Sequence, residues 1–217
     1  RGHGASDQPQ EESDYSLSSF ADDMWQLADL LGWRQFDLLG HSMGGMIAQV
    51  MVLDRPERVD RLILMDTHHG RLGRIDADLV ALGIEMARTE GLAAIQAVLK
   101  MGADPIDSPA FHRVAAERPG YAEWSDSKML ACSPAMYAAM LALLESVPDR
   151  LEDLASVGSP TLVLVGELDE AFIAASDRIA AVVPQSELVV LPGGGHSPQF
   201  ESTEAWRSAV DNFLARP

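Results

Sequence analysis

Apolar residues along this chain follow two rhythms that take turns. Over residues 14–32, Leu17, Phe20, Met24, Leu27 and Leu31 recur every three or four positions. That spacing predicts an amphipathic helix, with Ser16 placed to cap its start and Gly32 to end it. Residues 36–39 are a short apolar run of strand length. From Met43 the helical spacing returns at Met46, Ile47, Val50 and Met51, until Pro56 stops it. Residues 59–65 predict a second strand, in which Leu62 to Met65 is unbroken, as in strands buried on both faces of a parallel sheet. After Pro160 the alternation resumes with a strand at 161–165, a helix at 171–183, a strand at 187–191 and a closing helix at 203–215. Strands alternating with helices predict an α/β fold with a parallel sheet.

Residues 67–150 break the alternation. Alanine, methionine and leucine dominate, no strand pattern stands out, and helices are predicted at 76–89, 91–101, 109–117 and 134–146. The stretch reads as a helical insertion, 67–150, in a core made of residues 1–66 and 151–217. Met86, Met101, Met129, Met136 and Met140, with Trp124 and Tyr137, suit either of two roles. Flexible thioethers can line an adaptable apolar pocket, or the same side chains can pack helix on helix.

Composition narrows the partners. A net charge of -17 disfavours nucleic acid and anionic membrane surfaces. No apolar run in the sequence is long enough to span a membrane. The single cysteine, Cys132, excludes an internal disulfide and fits a cytoplasmic protein. The chain's 217 residues are enough for one domain with a sizeable core.

The chemistry centres on Gly40-His41-Ser42-Met43-Gly44, between the first strand and the helix after it. It fits G-x-S-x-G, in which a serine on a strained strand-to-helix turn presents its hydroxyl at the top of a sheet. The flanking glycines are expected to let strand and helix approach closely. The positive end of the helix faces the serine, and the Met43 N–H becomes a donor for an oxyanion. A serine needs a base, and the base an acid to orient it. Such groups gather at the carboxyl ends of strands. Asp169 follows the third strand, and His196 follows the fourth behind three glycines. The order Ser42, Asp169, His196 is nucleophile, acid, base. Asp66 also follows a strand and can orient the same base; Asp169 is preferred. His68 and His69 are adjacent, with no cysteine or carboxylate cluster at ligand spacing, so no metal site is expected there. Both do follow a strand and can face the pocket. His41 fills the free position of the serine turn, and is counted with Asp66, His68, Trp124, Met136 and Tyr137 as a candidate pocket residue.

Four segments carry a resemblance: Arg1-Gly2-His3-Gly4-Ala5-Ser6-Asp7, Gly40-His41-Ser42-Met43-Gly44-Gly45, Gly166-Glu167-Leu168-Asp169 and Gly195-His196. In this order they resemble the α/β-hydrolase superfamily, in its branch of small serine hydrolases with a helical cap, over nearly the whole chain. The resemblance implies Ser42 as nucleophile, Asp169 as acid, His196 as base and residues 67–150 as the cap, with no metal or organic cofactor. Family members begin with further strands and a His-Gly loop that supplies a second oxyanion donor, and this chain opens at the motif that follows them. The expectation is a fragment of a longer protein. The alternatives are a partner chain, or a homodimer pairing on the edge of residues 36–39. Loss of one oxyanion donor would slow catalysis by on the order of a hundredfold.

The expected function is hydrolysis of a small ester, thioester or lactone with an apolar acyl part. Serine at position 42 points away from haloalkane dehalogenases and epoxide hydrolases, which have aspartate there. The alternatives on the same residues are carbon–carbon hydrolysis, perhydrolysis, or a lyase reaction. For the last, Gly166-Glu167-Leu168-Asp169-Glu170-Ala171-Phe172 resembles the corresponding stretch of menaquinone-pathway synthases. Outside catalysis, the alternative is a small-molecule-binding protein of this fold.

Overall fold

The computed structural model describes residues 1–71 and 76–216. Residues 72–75 of the expected insertion, and Pro217, lie outside them. In chain order the elements are α1 (Leu17–Leu30), β1 (Phe36–His41), α2 (Met43–Asp54) and β2 (Val59–Met65), then α3 (Ala77–Thr89), α4 (Leu92–Val98), α5 (Pro109–Glu117), α6 (Tyr121–Leu130), α7 (Pro134–Ser146) and α8 (Leu151–Leu154), then β3 (Thr161–Gly166), α9 (Glu170–Val182), β4 (Ser186–Leu191), α10 (Pro198–Glu201) and α11 (Thr203–Leu214). The fold is α/β, as expected, with a four-stranded sheet in the order β1-β2-β3-β4, every pair parallel.

The unbroken apolar runs of β2 and β3 are covered on both faces. Leu62, Leu64 and Val163 meet Trp25 of α1, Met51 of α2, Leu154 of α8 and Ile179 of α9. Their neighbours Ile63, Met65, Leu162 and Leu164 point the other way, onto Val210 and Phe213 of α11. Period-two alternation therefore feeds two separate apolar layers from one strand. Among the described residues β1 pairs with β2 alone, and its Leu39 is 41% exposed.

The start of α1 follows local chemistry. The Ser16 hydroxyl accepts from the Ser19 N–H while the Ser19 hydroxyl accepts from the Ser16 N–H, a reciprocal cap. Between β2 and β3 every described element is helical. Two helices there, α6 and α8, have no clear apolar period and were not expected from the sequence. α6 carries mixed polar and aromatic residues and buries only Tyr121. The predicted helix 91–101 ends earlier: α4 stops at Val98, followed by a π-helical turn in which Gly102 takes φ 95°. The amino-terminal loop docks on this helical region. Its His3 bridges to Cys132, with Gly4 N–H donating to the Ala131 carbonyl and Ser133 N–H to that of Gly2, each at 2.9 Å.

Candidate active site

β1 ends at His41 and α2 begins at Met43, so Ser42 takes the whole turn. It has φ 54° and ψ -121°, a left-handed conformation that is strained for a residue with a side chain. The turn is held from both sides. Ser42 N–H donates to the Met65 carbonyl at 2.9 Å, and the Thr67 hydroxyl donates to the Ser42 carbonyl at 2.6 Å. Gly40 is required, because a Cβ there would run into the Gly44 carbonyl oxygen and lie 2.7 Å from its carbon. The second flanking glycine behaves differently from expectation. A Cβ on Gly44 would meet nothing within 4 Å, whereas one on Gly45 would strike the Thr67 side chain. The close approach thus falls one residue later, where α2 crosses the end of β2. The Met43 N–H belongs to the first helical turn and has no partner within its own helix.

The structure brings the three separated residues of the expected relay together. His196 Nε2 lies 2.9 Å from the Ser42 hydroxyl, and His196 Nδ1 lies 2.8 Å from Asp169 Oδ2. Nδ1–H donates to the carboxylate, which leaves Nε2 to accept the serine proton. Both Asp169 and His196 are buried, and the Phe172 ring lies against the imidazole with centroids 4.8 Å apart. His41 is behind this histidine: its Nε2–H donates to the His196 carbonyl at 2.6 Å. Burial first, then the neighbouring His196, hold the His41 ring down to about 4, so it works as a neutral strut.

Asp66 does not take the acid position. It is fully buried at φ 45°, and its Oδ1 accepts from the Gly166 N–H at 2.8 Å. Burial pushes its carboxyl up to about 9, against the Gly166 hydrogen bond and with help from Asp169 beside it. Burial thus favours the protonated form of Asp66, while Asp169 meets the histidine.

Further residues that no pattern signalled hold the His196 loop. Glu201 Oε2 accepts from the N–H groups of Gly195 and Ser197 at 2.7 and 3.1 Å, on either side of the histidine. Arg113 of α5 donates to the carbonyls of Gly193 and Glu201 at 3.0 and 2.6 Å, tying the helical region to the same loop. The loop passes so near the end of β3 that a Cβ on Gly166 would collide with the Gly195 carbonyl oxygen. A single Glu or Arg at such positions carries no periodicity, so only the folded chain identifies them.

A cavity of about 160 Å³ opens beside Ser42. Of the six candidate pocket residues, His68 and Tyr137 border it, with Met43, Met46, Met140, Leu143 and Phe172. Met136 instead packs on Tyr15 and Phe20 under the amino-terminal loop. Trp124 is 43% exposed, tilted against Tyr121 and edge-on to Phe200, with Lys128 over its ring. A larger cavity of about 300 Å³ lies at the opposite ends of the strands, by Arg61, Thr161 and Ser186, remote from Ser42. Among the described residues no three metal-ligating side chains converge, and no helix is long and apolar enough to cross a membrane.

Comparison with known proteins agrees with the fold. Residues 1–203 match the family described as alpha/beta hydrolase fold. The 2-hydroxymuconate semialdehyde hydrolase of Pseudomonas putida is 29% identical over 99% of this chain and 74% of its own length. The putative 2-succinyl-6-hydroxy-2,4-cyclohexadiene-1-carboxylate synthase of Bacillus subtilis (strain 168) is 25% identical over 98% of this chain and 78% of its own. Among solved structures, a thermophilic esterase from Thermogutta terrifontis superposes with a TM-score of 0.82 at 29% identity, covering 99% of this chain and 76% of the esterase.

Proposed function

The chain belongs to the α/β-hydrolase fold family, and from that premise we propose that it is a serine hydrolase that cleaves a small carboxylic ester, thioester or lactone through an acyl-enzyme. The observation that carries this reading is the continuous path from the Ser42 hydroxyl to His196 Nε2 at 2.9 Å and from His196 Nδ1 to Asp169 at 2.8 Å. As Ser42 Oγ attacks the carbonyl carbon, its proton passes to His196 Nε2. The imidazolium that forms is stabilised by Asp169. The oxyanion develops at the amino end of α2, where the Met43 N–H donates to it. His196 then protonates the leaving group, activates water, and the acyl group is released. The strained backbone of Ser42 keeps the hydroxyl in the path of the carbonyl rather than turned into the helix.

In this reading the insertion, residues 67–150, is a cap over the site. Support comes from α7, whose Tyr137, Met140 and Leu143 border the cavity beside Ser42. A cytoplasmic location belongs to the same reading and rests on Cys132 being the sole cysteine.

A second reading, carbon-centred chemistry, is favoured by the two relatives named as a 2-hydroxymuconate semialdehyde hydrolase and a putative 2-succinyl-6-hydroxy-2,4-cyclohexadiene-1-carboxylate synthase, neither of them named for ester cleavage. There the same Ser42–His196 pair would act on a carbon acid or ketone. Turnover of a panel of p-nitrophenyl esters by the wild type and by Ser42→Ala, with a fluorophosphonate probe on both, separates the possibilities. Ester turnover and labelling that vanish together in Ser42→Ala are the expected result. Labelling without ester turnover favours the carbon-centred reactions, and no labelling of the wild type favours a binding protein without catalysis.

A further inference from the structure

His68 is a buried titratable group that the relay leaves unused. It follows β2 by three residues and borders the cavity beside Ser42. Gly70 and His69 fix the ring. Nδ1 lies 3.1 Å from the Gly70 carbonyl oxygen and 3.3 Å from the Gly70 nitrogen, and the face stacks on His69 with centroids 4.9 Å apart. The shorter contact, to the carbonyl, assigns the proton to Nδ1. His69 spends both its nitrogens within the protein, Nδ1 on Asp149 at 2.7 Å and Nε2 on Arg178 at 2.9 Å. Nε2 of His68 has no partner among the described residues. With the proton on Nδ1, that nitrogen offers a bare lone pair. Burial, then the neighbouring His69 and Arg178, hold the ring down to about 4, so it stays a neutral acceptor at physiological pH.

The rest of the wall is mainly thioether, aliphatic and aromatic, from residues such as Met46, Met140, Leu143 and Phe172. Its volume of about 160 Å³ is close to that of an engineered apolar cavity of about 150 Å³ that accepts benzene, so an acyl chain of about six carbons fills it. A plain alkyl chain there would bury the His68 acceptor with nothing to bond, which is unfavourable. A chain carrying a hydroxyl would satisfy it.

We propose that His68 Nε2 receives a hydroxyl on the substrate's acyl chain, so that the site selects hydroxyacyl esters and lactones over unsubstituted acyl esters of the same length. The proposal rests on the serine-hydrolase reading and names the substrate class of that same site. Lactones follow from the bond changes. Ser42 Oγ attacks the lactone carbonyl carbon, the ring C–O bond breaks, and the ring oxygen takes the proton held by His196. The resulting alcohol stays tethered to the acyl-enzyme. Bound to His68 Nε2, it is kept from attacking back while water, deprotonated by His196, displaces Ser42. The sum is lactone plus water to hydroxy acid.

The test compares kcat/KM for ethyl hexanoate with that for ethyl 3-, 5- and 6-hydroxyhexanoate, and for ε-caprolactone, in the wild type, His68→Phe and His68→Asn. The wild type is expected to prefer at least one hydroxyhexanoate over ethyl hexanoate by about tenfold. In His68→Phe that ratio falls to about one, and His68→Asn, whose amide oxygen is still an acceptor, keeps part of it. Equal turnover of all the hexanoates by the wild type overturns the proposal, as does a preference that survives in His68→Phe. Ser42 that is labelled by a fluorophosphonate but turns over none of these substrates overturns it while leaving the hydrolase reading standing. Absence of both labelling and turnover overturns the hydrolase reading, and this proposal with it.

Discussion

Glu201 should control how well His196 is placed, although it touches neither Ser42 nor Asp169 by any hydrogen bond in the structure. Its Oε2 accepts from Gly195 N–H at 2.7 Å and Ser197 N–H at 3.1 Å, and the residue is only 8% exposed. Truncation by Glu201→Ala leaves both donors unsatisfied, at about 1–3 kcal/mol each, or roughly 2–6 kcal/mol if the loop stays in place. A loop of three successive glycines has little stiffness of its own, so part of this energy is relieved by movement of the loop. Movement degrades the 2.9 Å and 2.8 Å contacts of the His196 ring. The cavity wall is drawn largely from α2 and α7 and should keep its shape. We therefore expect Glu201→Ala to lower the melting temperature by on the order of 10 °C. It should also lower kcat on a p-nitrophenyl ester by at least about tenfold with little change in KM. Glu201→Gln can keep one oxygen facing both N–H groups and loses only charge assistance, about 1 kcal/mol. Thermal denaturation and steady-state kinetics on the three proteins provide the readout. The reasoning is refuted if Glu201→Ala keeps kcat within about twofold and melts within about 2 °C of the wild type, the behaviour of an ordinary surface substitution.

Three other outcomes follow from the same geometry. Gly40→Ala drives a Cβ into the Gly44 backbone and should cost about 1–3 kcal/mol with loss of fluorophosphonate labelling, whereas Gly44→Ala meets open space inside a helix and should be neutral or stabilising by about 0.5–1 kcal/mol; urea titrations measure both. Asp169→Asn no longer holds the Nδ1–H tautomer of His196 and should reduce kcat by about 10³–10⁴, read from initial rates. Asp66 has a folded-state value of about 9, above its ordinary 3.8, so it keeps a proton that the unfolded chain releases, and its contribution to stability declines as pH rises between those values. Asp66→Asn removes that decline, so melting temperatures at pH 5 and pH 8 should show the variant gaining on the wild type at the higher pH; an equal difference at both would count against a protonated Asp66.

Much of this protein was legible from the order of its residues. Short apolar runs located the four strands and a period of 3.6 the helices that flank them, because burial on both faces of a sheet or on one face of a helix imposes those patterns. The turn around Ser42 announced itself through its glycines and the apolar runs on either side. Local order could not decide between partners far apart in the chain. Ser42 and His196 are 154 residues apart, and Asp66 and Asp169 both sit at strand ends close enough to compete for the histidine. Only the register of β2 against β3, and the fold of the glycine loop after β4, put Asp169 on Nδ1 and turned Asp66 onto the Gly166 N–H. The same holds for the pocket. His68 and Tyr137 border it while Met136 and Trp124 do not, since helix packing, not residue type, settles which face of each helix meets the cavity. Periodic burial is written into sequence because it repeats; a single contact between distant side chains occurs once, and only the tertiary structure determines it.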